Sequence, residues 1–302
     1  MSRRQNRGRP VTGVLPVNKP IGIGSNELLQ HIKRLFGARK AGHTGSLDRL
    51  ASGVLPICFG EATKLSGFLL DADKAYYSRL RLGVKTSTAD AEGEVIEQRP
   101  VPELTADAVE QVLDRFRGPI MQIPPMHSAV KVQGKRLYKL AHRGEVIERE
   151  PRPVTIHSLE MAELGGDYLD IRVRCSKGTY IRTLGEDIGE ALGCGASVLT
   201  LHRTQAGPFA ESESVTVAQV EEAASVKNAD ALLFAPETAL PHWPSVSLNG
   251  DMAFYLGKGQ PVMVPKAPSS GLVKLFAPGE RFIGVGAITD DGLVAPKRLL
   301  KA

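Results

Sequence analysis

The sequence is poor in cysteine, and the three cysteines that it has are scattered. Cys58, Cys175 and Cys194 form no Cys-x-x-Cys pair and lie in apolar or glycine-rich surroundings. Such a set is typical of reduced thiols in the cytoplasm, and it argues against both a disulfide framework and a cysteine zinc site. The histidines are equally dispersed, with no metal-ligand spacing among them. We therefore expect neither a metal ion nor a disulfide.

Long apolar runs are also missing. No stretch approaches the roughly 20 residues that a membrane-spanning helix needs, and residues 1–10 lack the apolar centre of a secretory signal. Gly22 and Gly24 precede a predicted helix, but Glu27 occupies the third glycine position of a dinucleotide motif, and no Walker lysine loop is present. These absences predict a cytoplasmic protein with no membrane contact, no Rossmann fold and no P-loop.

What the chain does have is a modest positive charge that is locally concentrated. The formal net charge is +5, which by itself favours a nucleic-acid partner only weakly. The basic residues form three clusters: Arg3, Arg4, Arg7 and Arg9; Lys33, Arg34, Arg39 and Lys40; and Lys131, Lys135, Arg136, Lys139, His142 and Arg143. One cluster alone is most often a solvated face, but three of them around one candidate site favour contacts with phosphates.

Hydrophobic periodicity predicts a mixture of strands and helices. Alternation over residues 76–83 predicts one strand, and alternation over 169–175 predicts another that runs on toward 180–182. Apolar stripes predict a helix capped by Ser25, a second capped by Thr105 and ended by Gly118, and a third that reaches Gly193. Because no regular βαβ alternation appears, we predict an α+β fold with a mixed, largely antiparallel sheet flanked by helices and loops.

Composition divides the chain into two domains. A shift between Pro236 and Pro244 separates residues 11–245 from residues 246–302, where short strand-like runs alternate with glycine and proline. Those runs (262–264, 272–276, 282–288 and 293–295) and the Asp290-Asp291-Gly292 turn signal predict a small β-barrel-like module. Residues 1–10 read as a basic tail, and the basic, weakly patterned stretch 124–152 reads as an insertion.

One loop concentrates the candidate chemistry. Residues 40–56 place a single carboxylate, Asp48, among small residues, and Gly42, Gly45 and Gly53 allow the positive φ angles and close backbone approaches that a loop around a bulky ligand needs. Spacing alone fits an ordinary glycine-rich loop with a solvated aspartate. Four rival carboxylates have no comparable setting and are predicted to be solvated or to cap turns: Asp71, Asp73, Asp90 and Asp187.

The loop resembles the aspartate signature of pseudouridine synthases, and specifically that of the bacterial TruB family, which modifies uridine 55 in the T-loop of tRNA. Other blocks match in the same order over residues 13–300: Gly13-Val14-Leu15, Asn18-Lys19-Pro20, Asp73-Lys74-Ala75-Tyr76, Ile123-Pro124-Pro125, Ser128-Ala129-Val130-Lys131 and residues 175–182. The family usually has proline after the aspartate, whereas this chain has Arg49, which frees φ and returns a backbone donor. Its guanidinium has two candidate partners, Asp48 and a phosphate.

The resemblance implies an isomerase, a tRNA pseudouridine(55) synthase that flips its target base out and needs no cofactor. The reaction exchanges a bond from C1′ to N1 for one from C1′ to C5, so it requires no redox step, metal or energy source. It needs an oxyanion that acts on the sugar and an acceptor for the C5 proton. A carboxylate with a pKa of about 3.9 is already ionised at neutral pH, so one aspartate suffices if a cation keeps it charged in a dry pocket.

The resemblance also assigns roles to individual residues. Asp48 is implied to be the catalytic aspartate, Arg182 its buried partner, and Tyr76 the residue that stacks on the everted uracil and helps to remove the C5 proton. The other implied substrate-binding residues are His43, which takes the vacated stacking position, Tyr180, Leu201, Lys19 and Lys64. As bare observations, most of these residues would be taken for core or surface side chains. The family motif makes the functional reading the favoured one.

The same likeness implies how RNA is held. Residues 11–245 would be the catalytic domain, 124–152 a thumb that grips the T-loop, and 246–302 a PUA-type RNA-binding domain. Met126, Tyr138 and Leu140 are candidate contacts on that thumb. The expected partner is tRNA through its T-loop and T-stem, with the acceptor stem an open question, and the default expectation is a monomer with no obligate protein partner.

Two other classes of function remain open from the sequence. An RNA-binding or RNA-folding protein with lost or secondary chemistry is favoured by Arg49, because proline is expected at that position. A glycosidase-like hydrolase would normally show two working carboxylates, and the sequence offers one well-placed candidate.

Overall fold

Strands make up most of the ordered structure of this chain. The computed structural model describes residues 8–128, 131, 132, 135–137, 140 and 147–301. Its strands are β1 (Gly13–Lys19), β2 (Ala41–His43), β3 (Ala51–Phe59), β4 (Lys74–Leu82), β5 (Val84–Thr86), β6 (Val95–Gln98), β7 (Gly118–Gln122), β8 (Lys131–Val132), β9 (Lys135–Arg136), β10 (Arg152–Leu164), β11 (Tyr168–Cys175), β12 (Ala196–Ala206), β13 (Phe209–Ala210), β14 (Val215–Thr216), β15 (Ser245–Ser247), β16 (Leu272–Ala277), β17 (Arg281–Ile288) and β18 (Val294–Leu299).

The helices lie between these strands. Those whose bounds lie within the described residues are α1 (Ser25–Leu35), α2 (Ser66–Asp71), α3 (Ala106–Asp114), α4 (Ile181–Ala191), α5 (Val217–Ser225) and α6 (Gly250–Gly257). Short 3-10 turns are found at Gly60–Leu65, Glu211–Glu213, Ala229–Leu232 and Pro236–Ala239. In the described residues, no helix is both long enough and apolar enough to span a membrane.

The main sheet is mixed and mostly antiparallel. Its strands follow the order β14-β1-β3-β12-β4-β11-β10-β7, with β2 paired to β3 and β13 paired to β12. The β1–β14 and β3–β12 pairs are parallel, and the other pairs in this sheet are antiparallel. The predicted α+β architecture is therefore confirmed, and the fold is not a doubly wound Rossmann sheet.

The alternation predicted for β4 is confirmed by its burial pattern. Ser78, Leu80 and Leu82 are buried, whereas Arg81 is exposed on the opposite face. The buried face packs in one hydrophobic cluster with the apolar stripes of α3 and α4, which contribute Val109 and Leu184 among others. Period-2 burial in the strand and period-3.6 burial in the helices thus meet in one core.

Helix α1 forms where its apolar stripe predicts it, but its cap differs from the prediction. Leu28, Leu29 and Ile32 are buried, as expected. The N-cap residue is Gly24, so the prediction of Ser25 as the cap was wrong. The Ser25 hydroxyl instead donates to the Leu47 carbonyl at 2.9 Å and accepts from the Leu47 amide at 2.8 Å. This tertiary pair ties α1 to the loop that carries Asp48.

The N-terminal boundaries of α3 and α4 can also be compared with the sequence predictions. Thr105 caps α3 as predicted, since its hydroxyl accepts from the Ala108 amide at 3.2 Å, although α3 ends at Asp114 and Gly118 already begins β7. The prediction that β11 continues toward residue 182 was wrong. β11 ends at Cys175, and α4 starts at Ile181, so Arg182 lies in the first turn of a helix.

The C-terminal module is a small β structure that packs on the rest of the chain. β15 to β18 form a four-stranded sheet, and residues 289–293 make the predicted turn between β17 and β18. The run predicted at 262–264 makes only an isolated bridge from Val262 to Val294, and the sequence analysis missed α6. Val285 of β17 lies in the same buried cluster as Val14 of β1, so the module shares a core with the main sheet.

The basic clusters are described only in part. Arg3, Arg4, Arg7, Tyr138, Lys139, His142 and Arg143 lie outside the described residues, as do the side chains of Lys131, Lys135 and Arg136. Within the predicted insertion, β8 and β9 pair as a hairpin, and Leu140 is buried rather than free for an RNA contact. Arg9 is bound to Asp230 through both guanidinium nitrogens, so it is anchored to the fold.

Candidate active site

A cleft of about 690 Å³ lies beside the Asp48 loop, where β4, β11 and β12 approach the start of α4. Six of the predicted site residues line it: His43, Asp48, Tyr76, Tyr180, Arg182 and Leu201. A volume of this size falls within the range of ordinary ligand sites, about 300–1,000 Å³. The structure thus brings together residues that are up to 158 positions apart, from His43 to Leu201.

The loop reaches this cleft because one glycine permits a close approach. Gly53 has a φ of 105°, and a Cβ atom there would collide with the Arg203 main chain of the neighbouring strand β12. Gly45 also has a positive φ, of 108°. Gly42 lies in β2 without a positive φ and with open space around it, so its predicted special role was wrong.

Arg182 holds Asp48 at the centre of the cleft. Its Nε lies 3.0 Å from Asp48 Oδ2, and its side chain is only 5% exposed. The other guanidinium nitrogens donate to main-chain oxygens, Nη1 to Thr88 at 3.2 Å and Nη2 to His127 at 2.8 Å. Because the planar guanidinium of Arg182 is bonded at several points, the positive charge beside Asp48 has a fixed position.

Asp90 is a second carboxylate on the same guanidinium, and it is buried, so of the two predicted alternatives, solvated or capping, only capping applies to it. Its Oδ2 lies 3.5 Å from Arg182 Nη1, and its side chain is 4% exposed. Its other oxygen accepts from the Thr88 hydroxyl at 2.5 Å and from the Glu92 amide at 3.1 Å, so it also closes a turn as predicted. The buried cation is therefore shared by two carboxylates.

Among the described residues, the other rival carboxylates stand apart from this centre. Asp71 pairs with Lys177 at 2.8 Å, and Asp73 pairs with Arg174 at 3.0 Å. Burial raises the pKa of Asp187 to about 6, but that residue does not line the cleft. The described residues contain no group of three or more His, Cys, Asp or Glu side chains arranged to hold a metal ion.

Arg49 points away from the catalytic candidate. Its Nη2 lies 3.1 Å from Glu27 Oε2, its Nη1 donates to the Gly22 carbonyl at 3.0 Å, and its side chain is 61% exposed. Of its two candidate partners, Asp48 is thus excluded in this structure. Arg49 instead joins the loop to the start of α1.

The Asp48 carboxyl sits in a partly desolvated environment. Burial by the cleft walls raises the pKa of Asp48 above its ordinary value, and the nearby Asp90 raises it further. The Arg182 guanidinium opposes both effects because it favours the ionised form. With 42% of its side chain exposed, Asp48 remains open to the cleft and to an incoming ligand.

Three side chains shape the walls around Asp48. Tyr76 projects from β4, and burial raises the pKa of its hydroxyl above the ordinary value, so the phenol is protonated at neutral pH. Leu201 of β12 is 6% exposed and supplies an apolar surface. Tyr180 precedes α4, and its amide and carbonyl are both bonded to the Gln122 side chain, which leaves its ring as a wall of the cleft.

His43 contributes a neutral ring. Burial, together with the Arg203 guanidinium, lowers its pKa below the ordinary value. Its Nδ1 is buried and has no hydrogen-bond partner among the described residues. A flat, uncharged imidazole with an unused polar edge suits stacking against a nucleobase.

The two predicted lysines do not line the cleft. Lys19 is fully buried behind the loop, where its Nζ donates to the Pro20 carbonyl at 2.9 Å and to the Ile23 carbonyl at 2.8 Å. Lys64 contacts the C-terminal module, since its Nζ donates to the Leu299 carbonyl at 2.7 Å and pairs with Glu61. Lys64 is therefore placed to hold the two domains together rather than to meet a substrate in the cleft.

Two buried cations in the cleft wall were not among the predicted site residues. Arg203 is 1% exposed, and it donates to the Val54 carbonyl at 2.7 Å and to the Gly45 carbonyl at 3.2 Å. Lys74 donates to carbonyls at the end of α2, including that of Leu70 at 2.7 Å. A signal for Arg203 was present, because alternation places it on the same inward face of β12 as Leu201.

Solved structures share this fold over its full length. A chain in a structure of an H/ACA RNP bound to a substrate RNA containing 2′-deoxyuridine is 23% identical, with a TM-score of 0.75 over 100% of this chain and 92% of that one. A chain in the crystal structure of a Cbf5-Nop10-Gar1 complex is 25% identical, with a TM-score of 0.74 over 100% and 90% of the two chains. Because both comparisons cover 100% of this chain, the shared fold includes the main sheet and the C-terminal module.

Sequence comparisons then identify the class. The model for the N-terminal domain of TruB family pseudouridylate synthases matches residues 33–181, and two C-terminal models of the same family match residues 182–239 and 244–300. The fold and the family models are thus those of a pseudouridine synthase. The curated tRNA pseudouridine synthase B of Nitrosococcus oceani is 54% identical over 99% of this chain and 97% of its own, and that of Stutzerimonas stutzeri is 53% identical over 97% of each. The chain belongs to the TruB family.

Proposed function

We propose that this pseudouridine synthase converts uridine 55 in the T-loop of tRNA to pseudouridine, with Asp48 as its catalytic residue. The observation that carries the proposal is the Asp48–Arg182 pair at 3.0 Å in an open cleft lined by Tyr76 and Leu201. The curated relatives that are 54% and 53% identical are named tRNA pseudouridine synthase B, which supports tRNA as the substrate.

In the proposed reaction, Asp48 acts on the sugar of the bound uridine as a nucleophile or as a base, and the C1′–N1 bond breaks. The uracil rotates within the cleft, and C1′ joins C5. The proton on C5 then leaves with the help of Tyr76, while N1 gains a proton, so product and substrate have the same composition. Arg182 stabilises the Asp48 carboxylate throughout, because its fixed charge offsets the desolvation that the walls impose.

The same proposal assigns a route for the RNA. A uridine inside a folded loop must leave its stack to reach Asp48, at a cost of a few kcal/mol. His43 takes the vacated stacking position, and Tyr76, Tyr180 and Leu201 enclose the everted base. Residues 124–152 act as the thumb on the T-loop, and residues 246–302 act as a PUA-type RNA-binding domain beside the catalytic domain of residues 11–245. Lys19 supports the loop from behind, and the protein works as a cytoplasmic monomer without a cofactor.

The test uses unmodified tRNA labelled with tritium at C5 of its uridines. A synthase releases tritium to water and leaves the base attached, and the product at position 55 is read by carbodiimide primer extension. Free uracil would indicate a hydrolase instead. Tight binding without tritium release would favour an RNA-binding or RNA-folding protein over a synthase. Tritium release from a position other than 55 would contradict the proposed target.

A further inference from the structure

A serine hydroxyl in the cleft is buried without a partner. Ser128 is 6% exposed, lines the cleft, and its Oγ makes no hydrogen bond to any described residue. The other buried, unpaired side-chain atoms among the described residues are Nδ1 of His43, in the same cleft, and Nε of Arg149. Buried hydroxyl groups in folded proteins are nearly always bonded, so Ser128 requires a physical explanation.

Ser128 occupies a fixed place beside the proposed catalytic pair. Its amide donates to the Met126 carbonyl at 2.9 Å, which closes a tight turn. The residue between them, His127, gives its carbonyl to Arg182 Nη2 at 2.8 Å. Arg182 in turn holds Asp48. The unpaired Ser128 hydroxyl therefore belongs to the residue that directly follows His127, whose carbonyl helps to hold Arg182 in place.

We propose that Ser128 Oγ hydrogen-bonds a polar atom of the everted uridine nucleotide and so is a substrate-binding residue. The hydroxyl can both donate and accept, as the base edges and the ribose of uridine require. A group that lacks a partner in the free protein gains one only when the nucleotide enters. The bond therefore adds to affinity for RNA and not to the stability of the fold. This inference rests on the proposed function of the cleft.

The experiment compares two serine-to-alanine variants in the full chain. Ser128→Ala removes the unpaired hydroxyl. Ser78→Ala is the matched control, because Ser78 is also buried but donates to the Thr200 carbonyl at 2.9 Å and does not line the cleft. The measurements are the melting temperature, the Kd for a T-stem-loop RNA carrying 5-fluorouridine at position 55, and KM and kcat for tritium release.

The two variants should change opposite properties. Ser128→Ala is expected to raise Kd and KM by about threefold to tenfold, the value of one neutral hydrogen bond, while its melting temperature equals or exceeds that of the wild type. Ser78→Ala is expected to lower the melting temperature and leave Kd unchanged. Ser128→Cys, whose sulfur is a weak hydrogen-bonding group, should also raise Kd. An unchanged Kd in Ser128→Ala would overturn the inference, whether or not the melting temperature falls.

A second RNA locates the contact. When a propanediol spacer replaces the whole nucleoside at position 55, wild type and Ser128→Ala should bind equally well, because the partner of the hydroxyl is gone. If the difference in Kd persists on the spacer RNA, the hydroxyl does not touch the everted nucleotide and the inference fails. Failure of the proposed function itself is separate, since it appears as absent tritium release in the wild type.

Discussion

Two regions in and behind the walls of the cleft bury positive charge in different ways. On one side, Arg182 is shared between the carboxylates Asp48 and Asp90. On the other side, Lys19, Lys74 and Arg203 are bonded to main-chain carbonyls. Carbonyl dipoles satisfy the donors of a cation but do not cancel its charge. The first region therefore keeps one carboxylate in place, and the second keeps a positive field around it.

The pKa values reflect this division. Burial lowers the pKa of Lys19 to about 8 and that of Lys74 to about 8, and Arg203 contributes to both shifts. Lys19 also acts on Asp48, whose pKa it lowers. Arg203 thus disfavours the charged forms of Lys19 and Lys74, and Lys19 favours the ionised form of Asp48, which faces the open cleft.

Removal of the charge on Asp48 should have the largest effect. Asp48→Asn keeps the shape of the side chain but removes the oxyanion, so we expect tritium release to fall by roughly 10³-fold or more. Affinity for the T-stem-loop RNA should stay within a few-fold, because the phosphate contacts do not change. Appreciable turnover in a preparation free of contaminating synthase would contradict the role of Asp48.

The two buried arginines should differ in their importance for stability. Arg182→Met leaves Asp90 buried without its cation, and we expect the free energy of unfolding in urea to fall by about 3–5 kcal/mol. Arg203→Met leaves neutral groups unpaired, namely main-chain carbonyls and the Tyr76 hydroxyl, and should cost about 1–3 kcal/mol. Adding Asp90→Asn to Arg182→Met should recover part of the loss. Equal losses for the two single variants would show that the carboxylates do not distinguish the two regions.

The carbonyl-bonded region should respond to alkaline pH. Lys19 releases its proton near pH 8 in the folded chain and near 10.5 when unfolded, so between these values the unfolded chain binds more protons. The free energy of unfolding contributed by Lys19 should therefore rise with pH, by up to about 1.4 kcal/mol per pH unit. The measurement is the difference in unfolding free energy between wild type and Lys19→Met from pH 7.5 to 10.5. The difference should grow in favour of the wild type, and a constant difference would contradict the lowered pKa.

Arg49 lies outside both regions and should matter least. Arg49→Pro removes an exposed pair with Glu27, which is worth about 0.5 kcal/mol or less. It also restores the residue that the family usually has there. We expect kcat/KM within threefold of the wild type, measured by tritium release. A large change in either direction would show that the conformation after Asp48 limits catalysis.

Sequence patterns predicted those features that are set by local periodicity. The buried stripe of α1, the alternation of β4 and the Thr105 cap follow from side-chain spacing alone. Ser25 was misread as a cap because its hydroxyl finds Leu47, a partner 22 residues away that competes with the local amides. The apparent continuation of β11 failed for a similar reason, since residues 176–180 form the turn that delivers Arg182 to the cleft.

The candidate site was predicted only where a motif marked it. Asp48, Tyr76 and Arg182 lie together, as the family resemblance implied. Asp90 has no local pattern, because its importance arises from a guanidinium 92 residues away in the chain. Lys64 shows the converse, since its motif position suggested that it supports the active-site loop or contacts a nearby phosphate, but its ammonium donates to the Leu299 carbonyl. Contacts between single side chains that are far apart in the chain produce no periodic pattern in the sequence, so they cannot be predicted from it.

The close approach at Gly53 has a consequence for saturation mutagenesis. Any side chain at this position would push β3 away from the Arg203 backbone, so nearly every substitution should register as a loss of function. A scan scored by survival alone would rank Gly53 beside Asp48, the proposed catalytic residue, as if the two had the same role. A parallel screen of protein abundance separates them, because damage at Gly53 removes the folded protein whereas damage at Asp48 leaves an intact but inert one.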